Sequence, residues 1–507
     1  MAASPLTPVS IVAPGFYGLN TQEASVSLQQ NFALIADNAV IDSYGRIGAR
    51  KGYTTTSTSD AANTIYCIHE HVNKDATSTI YFAAGDKFYS MAVDGTVTTE
   101  YTDPTPASDG NWQAMSFNGD VYFFHDNHAP VVNDLVGATG WQYMGALGAM
   151  PTGVTYAGVG LSSYGRIWMA RTNINKTTVY WSDTLIGSDF TTGTAGSIDL
   201  EVVFTNGTDE IVHLAAFNGF LVIFCKKSII IYEGAEDPAT MQLKDVIDGV
   251  GCIARDTVQD IGTDILFVSD TGLRSLGRVI QEKSSPLRDL SKNVRDQFLA
   301  EVSGEGGIIK SVYYEKEAFY LVNLPSLQKV WCFDLRSSLE DGSLRATTWT
   351  SVTFNSFCTL RSRDLLLGTS LRVSTYGGYL DAGSEKYTMS YYTTYLDAGA
   401  PSNLKMLKDV ALLLIDGGSA TISVKWDVDY GSNYASKVFS VPATISSEYG
   451  VGEYGIAEYS SGTPITRKGL TLSKTGRVFQ IGIEALINGS PLSIQQIDIF
   501  VKGGRTV

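Results

Sequence analysis

A short pattern recurs along this chain: a strand, a tight turn, a second strand, another turn and a third strand. Its clearest copy has the apolar stretches His213–Phe217 and Phe220–Phe224 on either side of Asn218-Gly219. Asn-Gly between apolar runs is a strong hairpin signal, because a type I′ turn needs positive φ at both central residues. The same Phe-Asn-Gly context returns at residues 117–119. The sequence therefore predicts a repeated antiparallel β unit.

The repeat has a regular length. The first core residues of successive middle strands are separated by between 41 residues (Ile80 to Val121) and 54 residues (Ile167 to Leu221), and the series continues through Ile265, Phe319 and Leu365. A unit of this length with three or four short strands is typical of a β-propeller blade. We expect an all-β fold whose residues 61–375 form a propeller of about seven blades, with six to eight possible because distant strands often complete terminal blades.

Composition agrees with an all-β protein and limits its partners. The 507 residues include 50 glycines and 27 tyrosines but nine methionines, which favours turns and pleated surfaces. The net charge of −15 disfavours a grip on DNA, because phosphate binding depends on Lys and Arg. Five cysteines without a C-x-x-C pair indicate reduced, buried thiols. No membrane span or signal peptide is predicted, so we expect synthesis in a cytoplasm.

Three segments lie outside the repeat. Residues 1–60 read as an extended arm and an entry segment. An amphipathic stripe over residues 286–302 predicts a surface helix that ends near Gly304, inserted between two blades. Residues 376–507 alternate in polarity and predict a C-terminal all-β domain, either a sandwich or a partial barrel.

The residues that could carry chemistry are few. The pairs His69/His71 and His125/His128 have no Cys or carboxylate at standard ligand spacing, so we expect no metal, no cofactor and no catalytic site. Turn aspartates leave one enzymatic alternative open, because propellers host glycosidases with paired acids on one face. The alternative function is thus a propeller that binds or hydrolyses glycans, and its candidate carboxylates are Asp126, Asp183, Asp189, Asp270 and Asp334.

One segment before the propeller carries a distinctive set of residues: Asn38, Asp42, Gly45, Arg46, Arg50 and Gly52. Its order of Asn, Asp, Gly, a basic residue and Gly resembles the N-terminal signature of tail nozzle (tail tubular or hub) proteins of short-tailed bacteriophages. Later blocks occur in the same order as in that family: Gly165–Trp168, Tyr180–Asp183 with Asp189-Phe190, Asp209–Val212 with Gly219–Phe224, Gly249–Cys252 and Asp264–Leu273. The resemblance spans roughly residues 20–300. On turn chemistry alone, the first segment is also compatible with an ordinary turn.

The resemblance implies a structural virion protein rather than an enzyme. Family members form a ring, usually of six copies, below the portal and its adaptor, and close the DNA channel until ejection. The implied partners are other copies, the adaptor (head-to-tail connector), a tail fibre or tip protein, and double-stranded DNA that passes without sequence-specific contact. We expect Arg46 and Arg50 to form subunit or intrachain ion pairs rather than DNA contacts. A monomeric scaffold that binds peptides is a third possibility.

Overall fold

The N-terminal part of the chain supplies strands to three different sheets. The computed structural model describes residues 6–25, 27–105, 107, 109–204, 207–282, 289–416, 418, 420–441 and 465–506. Its first five strands are β1 (Leu6–Val12), β2 (Ala33–Asp37), β3 (Ala39–Ile41), β4 (Ile47–Ala49) and β5 (Tyr53–Thr55). The segment predicted as an arm and entry segment therefore pairs with strands from the rest of the chain.

Four four-stranded antiparallel sheets follow in chain order, with a short helix α1 (Met144–Leu147) after the second. Their strands are β6 (Ile65–Val72), β7 (Ser78–Ala84), β8 (Lys87–Met91) and β9 (Val97–Thr102); β10 (Gln113–Phe117), β11 (Asp120–His125), β12 (His128–Asp134) and β13 (Gly140–Tyr143); β14 (Ala157–Ser163), β15 (Arg166–Thr172), β16 (Thr178–Trp181) and β17 (Gly196–Asp199); β18 (Ile211–Phe217), β19 (Phe220–Cys225), β20 (Ser228–Glu233) and β21 (Gln242–Asp248).

Three further sheets complete the repeat, and β5 is the fourth strand of the last one. We number the seven sheets as blades one to seven in chain order, from the sheet that begins with β6 to the sheet that begins with β29. Their strands are β22 (Gln259–Asp260), β23 (Ile265–Ser269) and β24 (Gly272–Ser275); β25 (Lys310–Tyr314), β26 (Phe319–Leu324), β27 (Lys329–Asp334) and β28 (Arg345–Thr350); β29 (Ser356–Thr359), β30 (Leu365–Gly368) and β31 (Val373–Tyr376). The propeller thus draws on Tyr53–Thr55, which precede the predicted range of 61–375.

The seven sheets close into a ring. The first strands of neighbouring sheets contact each other from β6 through β10 and β14 to β18, and from β25 through β29 back to β6; the turn Arg255–Thr257 before β22 joins β18 to β25. Buried apolar clusters separate the adjacent sheets. Each blade thus buries its two faces from water by packing against the neighbouring blades. The prediction of a propeller of about seven blades is confirmed.

The Asn-Gly hairpins take the predicted backbone conformation. Asn118 and Gly119 have φ of 49° and 94°, and Asn218 and Gly219 have 50° and 82°. Two consecutive positive φ angles are the requirement of a type I′ turn, which matches the twist of the flanking strands. The local signal that identified the repeat is therefore the one that sets its hairpins.

The helical insertion differs from the prediction of one surface helix over 286–302. Residues 283–288 lie outside the described ranges, α2 (Leu276–Glu282) precedes them, and α3 (Arg295–Gly304) begins later than predicted. Before α3, the Asp289 carboxylate accepts a hydrogen bond from the Ser291 N–H at 2.8 Å, a local turn that competes with helix. Phe298 is buried against Trp331, so α3 is packed into the core. None of the helices in the described part of the chain is long and apolar enough to cross a membrane.

The C-terminal domain is a β-sandwich rather than a closed barrel. Its strands are β32 (Tyr387–Thr393), β33 (Asn403–Asp416), β34 (Thr421–Val428), β35 (Ala435–Ser440), β36 (Ile465–Gly476), β37 (Phe479–Ile487) and β38 (Leu492–Thr506). One sheet has the order β3-β4-β38-β33-β36 with β1 on the edge of β38. The other has the order β2-β32-β37-β34-β35 and continues through β2 into β28 of blade six. A single apolar core fills the space between the sheets.

Candidate functional site at the junction of propeller and sandwich

Asn38 lies where the propeller meets the sandwich. It is buried and adopts a left-handed conformation (φ 50°) between β2 and β3. Its backbone N–H donates to the Thr348 carbonyl in blade six at 2.7 Å, and its side-chain Nδ2 donates to the Thr388 carbonyl in the sandwich at 3.1 Å. Its Oδ1 accepts a hydrogen bond from the Thr350 N–H at 3.2 Å. One asparagine therefore connects both domains.

Arg50 is the charged centre of this junction. Its side chain is 1% exposed, and its guanidinium forms a bidentate ion pair with Asp381 at 2.8 and 2.7 Å. Its Nε donates to Asn38 Oδ1 at 2.8 Å, and its Cζ lies 4.2 Å from the Tyr387 ring centroid. Burial acts to lower the pKa of Arg50, but the hydrogen bonds and charge of Asp381 raise it overall. The arginine therefore stays charged inside the protein.

Asp42, Gly45 and Arg46 form a self-contained turn between β3 and β4. The Asp42 carboxylate accepts hydrogen bonds from the backbone N–H of Arg46 at 3.0 Å and from its Nε at 2.7 Å. Gly45 has φ of +71°, and its N–H donates to the Asp42 carbonyl at 3.0 Å. A Cβ on Gly45 would lie 2.5 Å from Cβ of Pro14. The turn thus needs glycine for its conformation and for its contact with the N-terminal segment.

Gly52 allows two backbone segments to approach closely. Its N–H donates to the Gly378 carbonyl at 3.1 Å, and the N–H of Tyr53 donates to the Leu380 carbonyl at 3.0 Å. A Cβ on Gly52 would lie 2.0 Å from the Leu380 oxygen. Only glycine fits there without moving the backbone that leads from the last blade to the sandwich. We call the residues Asn38–Gly52, together with Asp381 and Tyr387, the junction. The junction joins β5, which completes the last blade, to blade six and to the sandwich.

All six residues that the sequence singled out are thus in one region, where both arginines form intrachain ion pairs. A contact with other subunits through them stays a prediction. Asp381 and Tyr387, which complete the site, lie over 300 residues away in sequence. No local signal marks them, because Asp381 resembles an ordinary turn aspartate.

The four histidines that the sequence singled out are held by hydrogen bonds within the chain. Nε2 of His69 and Nδ1 of His71 lie 2.7 and 2.8 Å from the Ser116 hydroxyl oxygen. Burial lowers the pKa of His69 to about 4. His125 contacts Asp109 at 3.0 Å, and His128 contacts the Thr105 carbonyl. The described ranges contain no group of three or more His, Cys, Asp or Glu residues that could hold a metal ion.

The loop aspartates of the glycan alternative already have intrachain partners. Hydrogen bonds from threonines lower the pKa of Asp183 and of Asp189, the opposite of what a general acid needs. Burial raises the pKa of Asp334, but this residue is 3% exposed. The partners are Arg171 for Asp126, Thr194 for Asp183, Thr191 and Thr192 for Asp189, Ser269 for Asp270 and Arg336 for Asp334. Each of the five carboxylates is therefore engaged in a contact within the chain.

Sequence reasoning missed a polar network at the propeller axis, hereafter the axial network, made of Asn111, Arg255, Asp256 and Lys310. Arg255 and Lys310 contact the Asp256 carboxylate at 3.0 and 2.7 Å, and both donate to Asn111 Oδ1 at 2.7 and 3.0 Å. A further guanidinium N–H donates to the Gly158 carbonyl at 2.8 Å. The network joins blades two, three, five and six at the mouth where their first strands begin. Its members are far apart in sequence and share no motif.

Comparisons with known proteins leave the family open. No family model and no curated protein matches the chain. Among solved structures, the chain is similar to the Neurospora crassa Pan2 WD40 domain (TM-score 0.38, 10% identity, 62% of this chain and 90% of that one). It is also similar to a Xanthomonas campestris gluconolactonase (0.32, 12%, 74% and 99%) and a Phanerochaete chrysosporium exo-β-1,3-galactanase (0.26, 10%, 89% and 100%). None of these three is a phage tail protein, and at these scores they carry no argument about function.

Proposed function

We propose that this protein is a structural, non-catalytic virion component that forms the tail nozzle ring, a hexamer, of a short-tailed bacteriophage below the head-to-tail connector. The observation that carries the proposal is the position of the segment that bears the resemblance. Asn38 and Arg50 bind the propeller to the sandwich, and Gly52 leads into the strand that closes the propeller. The residues that carry the resemblance thus join the propeller to the sandwich.

The closed propeller axis supports a ring in which DNA passes between copies. The axial network crosses the mouth of the propeller and ties four blades together through buried charges. A duplex cannot run through a propeller whose axis is occupied in this way. The proposed channel is therefore enclosed by several copies, as in a head-to-tail ring that closes by rotation. With a net charge of −15, the lining would hold the phosphate backbone weakly and let the genome slide.

An open sheet edge offers a place for a neighbouring subunit. The Ala13 N–H donates to the Gln495 carbonyl, and this bond fixes which residues of β1 form hydrogen bonds with β38. The backbone groups of alternate β1 residues bond to β38, and those of the other residues, including Pro8 and Ser10, point away from it. The outward N–H of Ser10 has no partner among the described residues. A groove of ≈ 660 Å³ runs along this edge, between residues 7–10, 28–31 and 395–399. An extended strand from another subunit would continue the sheet there.

Imaging of the purified full-length chain tests the proposal. We expect closed rings in negative-stain images and a light-scattering mass that is an integer multiple of the 54.7 kDa chain. Addition of the connector protein of the same virion should raise the yield of rings and produce a stacked complex. A chain that stays monomeric at high concentration, with and without the connector, would refute the proposal.

The glycan-acting alternative makes a different prediction. It requires binding or cleavage of a glycan that is lost when a loop carboxylate is neutralised. We expect no glycan-dependent activity or binding, and Asp183→Asn and Asp189→Asn should change only the stability of their loops, because both carboxylates bond to neighbouring threonines. Hydrolysis of a glycan by the wild-type chain that either variant abolishes would favour the alternative.

A further inference from the structure

Two buried cations of the axial network share one carboxylate. Arg255 and Lys310 are both buried, and they contact Asp256 at 3.0 and 2.7 Å. Asp126, another carboxylate close to Arg255, is already paired with Arg171 at 3.1 Å. A buried charge without its own counter-ion is unfavourable. The loss of one of the two cations would therefore relieve the electrostatic strain of this network.

The ammonium of Lys310 also contacts the side-chain amide of Asn111. Its Nζ lies 3.0 Å from Asn111 Oδ1. Arg255 holds the amide in place, because its guanidinium donates to the same oxygen at 2.7 Å and to the Asn111 backbone carbonyl at 2.9 Å. A carbonyl carbon is about 1.23 Å from its oxygen, so Asn111 Cγ lies at most about 4.2 Å from the Lys310 nitrogen. An amine and an acyl carbon are thus held near the distance at which they react.

The groups around this amide supply the parts of an acyl transfer to nitrogen. Burial lowers the pKa of Lys310, which favours the neutral, nucleophilic amine. Burial acts to raise the pKa of Asp256, but the charges of Arg255 and Lys310 lower it overall, so this group is a carboxylate that can accept a proton across 2.7 Å. The Arg255 guanidinium is placed to stabilise the negative charge that develops on Asn111 Oδ1 when the carbonyl is attacked.

We propose that Lys310 and Asn111 react with each other in the folded chain and form an intramolecular isopeptide bond, with Asp256 as the proton carrier. Lys310 Nζ gives a proton to Asp256 and attacks Asn111 Cγ, so a C–N bond forms. The bond between Cγ and Nδ2 then breaks. Asp256 passes two protons in succession from Nζ to Nδ2, which leaves as ammonium. Asp256 ends as the carboxylate it was at the start, and nothing is oxidised or reduced.

The reaction restores the charge balance of the network and links two blades. The excess positive charge leaves with the ammonium, and the pair of Arg255 and Asp256 stays behind. A cavity of ≈ 180 Å³ beside Asp256 and Lys310 gives the ammonium room to leave. The new bond joins blade two to blade six between residues 199 positions apart, so it can form only after folding. The proposed tail function neither requires nor implies this bond.

Mass spectrometry of the denatured full-length chain tests the bond directly. We expect the intact mass of the wild-type chain to lie below its sequence mass by one molecule of ammonia. A tryptic digest should contain a product that joins the peptides around Asn111 and Lys310, because trypsin does not cleave after an acylated lysine. In a denaturing gel the linked chain should migrate faster than a linear one, because the bond closes a long loop.

Four variants separate this reaction from other losses of ammonia. Lys310→Arg keeps the positive charge and Asn111→Ala removes the acyl group, so both should have the full sequence mass. Asp256→Asn should also leave the bond unformed, because its amide cannot accept the proton. Asn111→Asp should lose one molecule of water instead of ammonia. Closure of an Asn-Gly turn to a succinimide also releases ammonia, but that loss would persist in Lys310→Arg.

Lys316→Met is the matched control, since Lys316 is exposed and pairs with Asp364. This variant should keep both the loss of ammonia and the linked peptide. A wild-type chain that retains its full sequence mass after prolonged incubation in the folded state overturns the proposal. A loss of ammonia that persists in Lys310→Arg, without a linked peptide in the wild-type digest, overturns it as well, whether or not Asp256→Asn folds.

Discussion

The ion pair between Arg50 and Asp381 gives the sharpest test of the junction. Arg50→Met keeps most of the buried volume but removes four hydrogen bonds, two of them to Asp381. Loss of one partner from a buried pair typically costs about 3–5 kcal/mol. The Asp381 side chain is 14% exposed and regains some water, while Asn38 keeps its bond from Thr350, so we expect a loss of about 3 kcal/mol.

Urea unfolding, followed by tryptophan fluorescence, measures this loss against a matched control. Arg46→Met breaks an ion pair with Asp42 whose side chains are 17% and 23% exposed, so it should cost about 1 kcal/mol or less. In hydrogen exchange, Arg50→Met should also speed exchange at the amide of Asn38, because this amide bonds across the domain boundary. Arg46→Met should leave that amide protected.

A double-mutant cycle separates the pair from its surroundings. If the two side chains act as a unit, Arg50→Met together with Asp381→Leu should cost less than the sum of the single changes by about 1–3 kcal/mol. A loss of unfolding free energy in Arg50→Met no larger than the loss in Arg46→Met would refute the assignment of Arg50 as the centre of the junction. Strict additivity in the double-mutant cycle would refute it as well.

Three further predictions address backbone packing, pH and assembly. Gly52→Ala should cost about 1–3 kcal/mol in urea unfolding, because its Cβ would meet the Leu380 oxygen, whereas Gly469→Ala, with open space, should stay near wild type. The folded-state pKa of His69 is about 4, below its ordinary 6.5, so the unfolded chain binds the proton first and the free energy of unfolding should fall as the pH drops from 6.5 to 4. His69→Gln should remove up to about 3 kcal/mol of this loss. An unchanged dependence of the unfolding free energy on pH in that variant would contradict the assignment. Ser10→Pro should block ring formation in light scattering, while Ser10→Ala, which loses only the side-chain bond to Asp498, should still assemble; equal assembly of both would show that the β1 edge is not an interface.

The repeat could be predicted from sequence because its signals are local. Asn118-Gly119 and Asn218-Gly219 fix their turns by their own conformational preferences, and the apolar runs beside them fix the strands. The regular spacing then leaves a ring of blades as the way to bury both faces of each unit. The six residues from Asn38 to Gly52 were singled out by the resemblance of their order to a family signature, and that order lies within one short segment of the chain.

Tertiary structure alone decided which distant groups meet. Asp381 reaches Arg50 because β5 closes the last blade beside the sandwich, and Asp256 reaches Lys310 because the ring brings blade five against blade six. The insertion shows the same limit, since Asp289 starts a turn where the apolar stripe alone predicted helix. Periodicity predicts which face of a strand or helix is buried. Which residue pairs with a buried charge depends on which distant segments the folded chain brings together.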